Sequence, residues 1–326
     1  MAIERDRSGT ITKVTYEFKT ASNVIDQANP DIDQGILAEV YNMDIDNFQS
    51  LTTRKGTTKL STAVAHSAYE YDGIVYLVSG GSLCRYTPPT TVTPLIAVNT
   101  TLPMVYEPVN NLIVATNGQQ ILIIESGAVS QLSSPTETFK VKTPAGNYLA
   151  YYDGRLYVAS GNTIHCTDPF SVEQCDERQM YIPVTPDTIT GIVAVDNGLY
   201  VGTTRETFFI SGTDPFSDSG FSLIRVADYG VIHGTMKKVQ ANKVKVSEAQ
   251  GNLAVWASPR GFCCGGNSGA FKNISIGVYE LPDASRGNLM LREENGVIHL
   301  VAVLSDGAFY NIYQEQSLEI DEAELT

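Results

Sequence analysis

The sequence has few charged residues, and its acidic residues outnumber its basic ones. Charged side chains make up 18% of the 326 residues and hydrophobic ones 43%; the charged share is below the typical value of about 25%, which indicates a globular chain. With 22 Lys and Arg against 36 Asp and Glu, the net charge is −14. Because nucleic-acid affinity comes largely from Lys and Arg releasing counterions, no sequence-specific nucleic-acid binding is predicted.

The sequence also lacks a disulfide framework and a metal-ligand pattern. Its five cysteines are odd in number and form no CxxC pair, which predicts reduced, buried thiols: Cys84, Cys166, Cys175, Cys263 and Cys264. His165 stands beside Cys166, but four scattered histidines give no zinc spacing. We therefore predict no metal and no cofactor. Adjacent Cys263 and Cys264 would point to opposite faces of a strand and act as independent thiols.

Long apolar runs and helical patterns are missing as well. No 18-residue apolar run is present, and residues 1–20 contain no apolar segment typical of a secretion signal, so neither a membrane span nor secretion is predicted. Apolar spacing of the helical kind is limited to "GILAEVYNM" from Gly35, at most one or two turns. The expected fold is all-β.

What the sequence does contain is a repeated word, TDPFS, at residues 167–171 and 213–217. The 46-residue interval falls within the periods of radial repeat folds. Each copy follows an apolar hairpin, and a proline ends strand pairing because it has no N–H to donate. We interpret the Asp-Pro pairs as structural turns, formed by Asp168, Pro169, Asp214 and Pro215. An ion site built from the two aspartates is the alternative.

Six hairpins recur along the chain, each with two apolar runs around a short polar turn. Their first strands open at Val75, Leu112, Leu156, Leu199, Leu253 and Ile298, at intervals of 37 to 54 residues. Such intervals are typical of four-stranded blades, so we predict a β-propeller of six blades, with five or seven as alternatives. The ring is expected to close through a strand at residues 11–20. Phe170 and Phe216, which end the two repeats, are expected to wedge between blades.

The predicted propeller domain spans residues 1–313 and includes an opening segment at 35–60. That segment resembles the start of tailed-bacteriophage virion β-propellers, which begin with an Asn-x-Asp-Ile-Asp turn followed by Arg-x-Gly. The matching residues are Asn42, Asp44, Ile45, Asp46, Arg54 and Gly56. In the turn, the aspartates can accept backbone N–H bonds and the arginine can pair with one of them.

The resemblance implies a non-enzymatic component of the head-to-tail region, tail nozzle or tail tip. It further implies a virion protein, assembled in the host cytoplasm as a ring of copies that contacts other tail or neck proteins, with genomic DNA passing by. The residues themselves offer no sialidase, glycosidase, hydrolase or P-loop pattern, so no catalytic residue is predicted. The alternative is a carbohydrate- or receptor-binding propeller, or a glycan-acting enzyme, with its site at the channel mouth.

The C-terminal segment, residues 314–326, mixes acids with apolar residues. We expect this arm to be mobile in the isolated chain and to gain order against a basic-rimmed groove of a neighbouring subunit. A plain solvated tail is the alternative. The expected contact residues are Glu315, Leu318, Glu319, Ile320, Asp321, Glu322 and Glu324.

Overall fold

A computed structural model describes most of the chain between residues 64 and 314 and short strands before it. The described residues are 2–5, 11–15, 20–21, 36–37, 43–45, 51–53, 64–88, 91–184, 186–217, 220–243, 251–276, 280–282, 284–294, 297–305 and 309–314. The chain divides into two compact units. One comprises Met1–Gly56 and Tyr229–Thr326, and the other comprises Thr57–Asp228.

Among the described residues at the start of the first unit, six short strands pair two by two. They are β1 (Ala2–Arg5), β2 (Ile11–Thr15), β3 (Thr20–Ala21), β4 (Ile36–Leu37), β5 (Met43–Ile45) and β6 (Leu51–Thr53). Pairing is antiparallel between β1 and β2 and between β5 and β6, and parallel between β3 and β4.

The described residues of the second unit form four four-stranded antiparallel sheets and a small two-stranded one. Their strands are β7 (Ala65–Tyr71), β8 (Ile74–Ser79), β9 (Ser82–Thr87), β10 (Thr91–Ala97), β11 (Val105–Val109), β12 (Leu112–Thr116), β13 (Ile121–Glu125), β14 (Ala128–Gln131), β15 (Lys140–Lys142), β16 (Tyr148–Tyr152), β17 (Arg155–Ser160), β18 (Thr163–Cys166), β19 (Gln174–Asp176), β20 (Tyr181–Pro183), β21 (Ile189–Val195), β22 (Gly198–Thr203), β23 (Thr207–Ser211) and β24 (Ser222–Ala227). The four large sheets are β7 to β10, β11 to β14, β16-β17-β18-β20 and β21 to β24, while β15 pairs with β19.

The remainder of the first unit holds two more sheets. Their strands are β25 (Lys237–Gln240), β26 (Asn252–Ser258), β27 (Gly261–Gly265), β28 (Phe271–Asn273), β29 (Gly287–Glu294), β30 (Val297–Leu304) and β31 (Phe309–Gln314). The first sheet runs β25 to β28 and the second β29 to β31. Short 3₁₀ turns occupy Ala241–Lys243 and Asn267–Gly269. The described ranges contain no α-helix, and none of their helices has the length and apolarity to cross a membrane.

Tight hairpin turns follow directly from dipeptides in the sequence. Asp72-Gly73 and Asp153-Gly154 both have positive φ at each central residue. This is the type I′ geometry whose twist matches that of the flanking strands, and it favours Asp-Gly because glycine has no Cβ to clash. The six hairpins predicted from the sequence are all present, and the six repeated positions, from Val75 to Ile298, each lie in the second strand of a different sheet.

Consecutive sheets of the second unit pack face to face. On β12, Ile113 packs towards the first sheet, whereas its neighbour Val114 packs towards the third. On β17, Leu156 faces the second sheet and Tyr157 faces the fourth. Neighbouring residues of a strand point to opposite faces, so a strand covered on both sides must be apolar at every position. This explains the unbroken apolar runs.

The strand predicted to close the ring is engaged elsewhere. Ile11–Thr15 forms β2 and pairs with β1, and Thr20 begins β3, which pairs with β4 and lies beside β31. Within the described residues, no strand is hydrogen-bonded as a fourth member of the β29–β31 sheet. Closure of the ring stays a prediction.

Candidate functional site

The first TDPFS copy caps the start of strand β17. The Thr167 N–H donates to the Leu156 carbonyl at 3.0 Å, and the Leu156 N–H donates to Thr167 Oγ1 at 2.9 Å. The same hydroxyl donates to the Ser171 carbonyl at 2.7 Å, and Arg155 Nη1 donates to the Thr167 carbonyl at 2.8 Å. The threonine therefore satisfies backbone groups that would otherwise be left unpaired where the strand pairing ends.

Asp168 of the first copy ties this turn to the small β15–β19 sheet. Its Oδ2 lies 2.7 Å from Lys140 Nζ and accepts a hydrogen bond from Gln174 Nε2 at 3.2 Å. Asp176 lies 3.6 Å from the same ammonium and pairs at 2.6 Å with Arg178. The hydrogen bond to Asp168 raises the pKa of Lys140 above its usual value, and the Arg178 guanidinium holds the pKa of Asp176 below its usual range.

The second copy forms a self-contained turn. The Phe216 N–H donates to Asp214 Oδ1 at 3.1 Å, and the Ser217 N–H donates to the Asp214 carbonyl at 3.3 Å. Arg155 reaches this copy too, with Nη2 at 3.4 Å from Asp214 Oδ1 and its guanidinium 5.9 Å from the centre of the Phe216 ring. One arginine thus joins both copies of the repeat.

The two phenylalanines of the repeat behave differently, and the prediction that both wedge between sheets is wrong for Phe170. Phe216 packs against the core between the third and fourth sheets. Phe170 is 89% exposed and has φ of 57°. Its N–H donates to the Gly154 carbonyl at 2.6 Å, and a Cβ on that glycine would meet the Phe170 ring at 2.9 Å. This turn lays the ring across the β16–β17 hairpin and away from the core.

The two aspartates of the repeat are each paired with a different cation. Asp168 is neutralised by Lys140, whereas Asp214 is paired with Arg155. Among the residues that the structure describes, no three His, Cys, Asp or Glu side chains lie together as a metal would need. The structural interpretation of both Asp-Pro turns therefore fits the observed contacts. Sequence reasoning missed Lys140 and Arg155, although an arginine directly after an Asp-Gly turn was available as a signal.

Among the remaining chemical candidates, Trp256 and the five cysteines are buried in the core, and His165 is half-buried. Trp256 has no exposed surface and stacks on Phe271 with ring centres 5.7 Å apart, so it is not a platform for a ligand. The five cysteines are free and buried. Burial raises the pKa of both Cys263 and Cys264 to about 12. Burial also lowers the pKa of His165, whose ring meets the edge of Tyr181 at 5.0 Å.

Several predicted residues lie outside the described part of the chain. Of the opening motif, Asp44 and Ile45 belong to β5 and pair with Thr52 and Leu51. Asn42, Asp46, Arg54 and Gly56 lie outside the described residues, as do all the contact residues proposed on the C-terminal arm: Glu315, Leu318, Glu319, Ile320, Asp321, Glu322 and Glu324.

Comparison with protein families shows which family the chain belongs to. The family model described as "Bacteriophage P22 Gp10, beta-propeller" matches residues 46–247, well over half of the 326 residues. The chain belongs to this family, which confirms the predicted phage virion β-propeller. The family indicates a bacteriophage structural protein of the virion. A search of curated proteins found no match.

Solved structures with a similar fold come from unrelated contexts. The extracellular domain of a protein described as the hybrid two component system BT4673 from B. thetaiotaomicron is 12% identical, with a TM-score of 0.53 over 81% of this chain and 34% of that one. The corresponding domain of BT3049 is 13% identical, with a TM-score of 0.51 over 94% and 43%. BBS1N in complex with ARL6DN is 14% identical, with a TM-score of 0.51 over 86% and 88%. At this level of identity the likeness indicates the fold alone, and the chain spans less than half of the BT4673 and BT3049 extracellular-domain chains.

Proposed function

We propose that the chain is a non-enzymatic structural protein of the phage tail or head-to-tail region. Several copies assemble around the virion axis and contact neighbouring proteins of the tail or neck. Membership of the P22 Gp10 β-propeller family over residues 46–247 is the observation that carries this proposal. The contacts of the repeated turns support it, because Arg155 and Lys140 are engaged with backbone carbonyls and carboxylates of the fold itself.

The propeller proposed here has six blades and spans residues 1–313. Support comes from the six repeated positions, each on the second strand of its own sheet, and from the face-to-face packing of consecutive sheets in the second unit. The N-terminal strands are proposed to complete the last blade, because β3 lies beside β31. A closed ring would remove exposed sheet edges at its two ends.

The acidic charge suits a protein that lines the path of a genome. At −14 per copy, a ring of such chains repels the phosphate backbone and does not retain the DNA. We therefore propose that DNA passes along the axis of the ring of copies, which assembles in the host cytoplasm.

The copy number in purified virions tests the proposal. Quantitative mass spectrometry against a major capsid protein is expected to give a fixed multiple of three, six or twelve copies per particle. The matched control is a lysate fraction freed of particles, in which the ratio should vary with preparation. Absence of the chain from purified virions, or a variable trace amount, would overturn the proposal.

A further inference from the structure

Strand β24 is an exposed sheet edge of six residues that contains no proline. Within the described residues it is hydrogen-bonded to β23 on one side only. Its Leu223 and Ile224 are 43% and 47% exposed. An unpaired edge with apolar side chains is a template for another strand, and proteins normally block it with proline, charge or shortness.

The outer strands of the other four-stranded sheets carry such protection. Strand β10 contains Pro94 and an irregular register beside it, and β20 has three residues and ends at Pro183. Strand β28 also has only three residues, and β14 exposes Ala, Ser and Gln but no large apolar side chain. Strand β24 has a bulge between Arg225 and Ala227, which leaves the regular edge Ser222 to Arg225 open.

The two faces of this edge differ in chemistry. Ile224 is opposite Phe209 in the register, whereas Arg225 is opposite Phe208, on the other face. The Arg225 side chain is 59% exposed, and its Nη1 donates to Glu206 at 2.8 Å. A guanidinium has five N–H donors, so it can serve a second carboxylate. Leu223 shares the Arg225 face and Ser222 shares the Ile224 face, so a fitting strand would place an apolar side chain beside Ile224 and an acidic one beside Arg225.

Residues 315–326 of this chain have that pattern. In "SLEID", Leu318 and Ile320 alternate with Glu319 and Asp321. Because side chains of an extended strand alternate between faces, the two apolar residues would share one face and the two acids the other. The twelve residues that follow Gln314 could span roughly 40 Å when extended.

We propose that the C-terminal segment of one copy adds to the edge of β24 in the next copy. Ile320 or Leu318 then lies against Ile224, and Glu319 or Asp321 pairs with Arg225. Such a contact is head-to-tail, since the arm and the edge are different surfaces, and head-to-tail contacts are the kind that close into rings. The inference deepens the proposed function by naming the contact between copies.

Sedimentation velocity of the full-length chain tests the contact. The substitution Ile224→Lys is expected to weaken self-association at least tenfold, as should truncation after Gln314. The matched control is Ile276→Lys, because Ile276 is 76% exposed and lies outside the edge strand; its association should be unchanged. Association that survives either Ile224→Lys or the truncation overturns the inference.

A charge exchange checks the pairing of the acidic face. Arg225→Glu should weaken association at least threefold, and combining it with Glu319→Lys and Asp321→Lys should restore most of the loss. A fluorescent peptide of residues 315–326 gives a second measurement on the full-length protein, even if that protein is monomeric at the concentrations used. Its anisotropy should reveal binding to wild type that is at least tenfold weaker with Ile224→Lys. No binding, or equal binding to both proteins, would contradict the proposal, as would failure of the charge exchange to restore association.

This contact and the proposed function can fail separately. If virions contain the chain in fixed copy number but Ile224→Lys is incorporated and associates normally, the strand contact alone is wrong. If the chain is absent from virions, the proposed function is wrong whatever the association measurements give.

Discussion

Arg155 lies 3.4 Å from Asp214, a residue of the second TDPFS copy, while it also donates to the carbonyl of Thr167 in the first. The arginine side chain is 13% exposed and the aspartate side chain 46%. The repeat is therefore more than a local turn, because its two copies are linked across neighbouring sheets by one cation. A largely enclosed guanidinium that bonds a backbone carbonyl fixes the relative position of the two turns.

Replacing Arg155 should destabilise the fold more than replacing an exposed arginine. Arg155→Ala is expected to lower the free energy of unfolding by about 1–3 kcal/mol, because a charged hydrogen bond to a buried carbonyl is lost. Arg205→Ala is the control: its side chain is 80% exposed, and its pair with Asp187 at 3.7 Å is screened by water, so the change should stay within about 0.5 kcal/mol. Urea unfolding followed by circular dichroism measures both. Equal effects would show that Arg155 does not hold the two turns together.

Replacement by alanine should destabilise the fold more at a core residue than in the turn next to it. Leu156 has no exposed surface, so Leu156→Ala is expected to cost about 2–5 kcal/mol through lost burial and the cavity left behind. Asp168→Ala removes the Lys140 pair at the sheet margin and should cost about 1 kcal/mol. The midpoints of urea unfolding compare the two variants, and comparable losses would contradict the assignment of Leu156 to the core.

Substitutions of the two phenylalanines of the repeat should also differ in their effect on stability. Phe216→Ala removes a ring that packs against the core and is expected to cost about 1–3 kcal/mol. Phe170→Gly removes a largely exposed ring from a left-handed backbone position, where a residue with a side chain costs about 1–2 kcal/mol relative to its normal conformation. This variant should therefore be as stable as wild type or slightly more stable. A melting temperature lowered by Phe170→Gly as much as by Phe216→Ala would refute the difference.

Local patterns in the sequence predicted much of the fold, and the side-chain contacts were harder to foresee. Asp-Gly turns and continuous apolar runs fix hairpins and buried second strands by short-range sterics and burial, so those elements were readable. The fate of Phe170 depended on Gly154, which lies sixteen residues earlier in the sequence. The pairing of residues 11–15 with β1 depends on competition between strands of similar composition, which periodicity does not rank.

In the two TDPFS turns, too, local features were predictable and distant contacts were not. Turn roles for Asp168 and Asp214 could be predicted because Asp before Pro has a local consequence. Their cation partners, Lys140 and Arg155, are 28 and 59 residues distant along the chain. Such partners are selected by the packing of neighbouring sheets, so even the Asp-Gly turn before Arg155 does not indicate which carboxylate it meets. The open edge of β24 was invisible for the same reason, since it is defined by the absence of a further strand.

The buried thiols make the protein inert to thiol reagents while folded and sensitive to alkali. Burial raises the pKa of Cys166 to about 11 and that of Cys175 to about 12, so neither thiol is ionised in the folded chain near pH 8. Ellman's reagent at that pH is expected to react with none of the five cysteines until guanidinium chloride is added, and then with five per chain. An Ile276→Cys variant is the positive control, with one rapidly reacting thiol.

The raised pKa values of the buried groups also set the direction in which stability depends on pH. Because the pKa of Cys175 is higher in the folded state than the ordinary value of 9.0, the folded chain binds more protons than the unfolded chain between these two values. Stability is therefore complete below about pH 9 and falls as pH rises towards about 12. Tyr69 acts in the same sense, since burial and the nearby carboxylate of Glu107 raise its pKa from 10.0 to about 12. Urea midpoints at pH 8, 9, 10 and 11 should decrease steadily above pH 9. A midpoint that is constant or rises over this range, or a folded chain that reacts with Ellman's reagent at once, would mean that the thiols are not enclosed between the sheets.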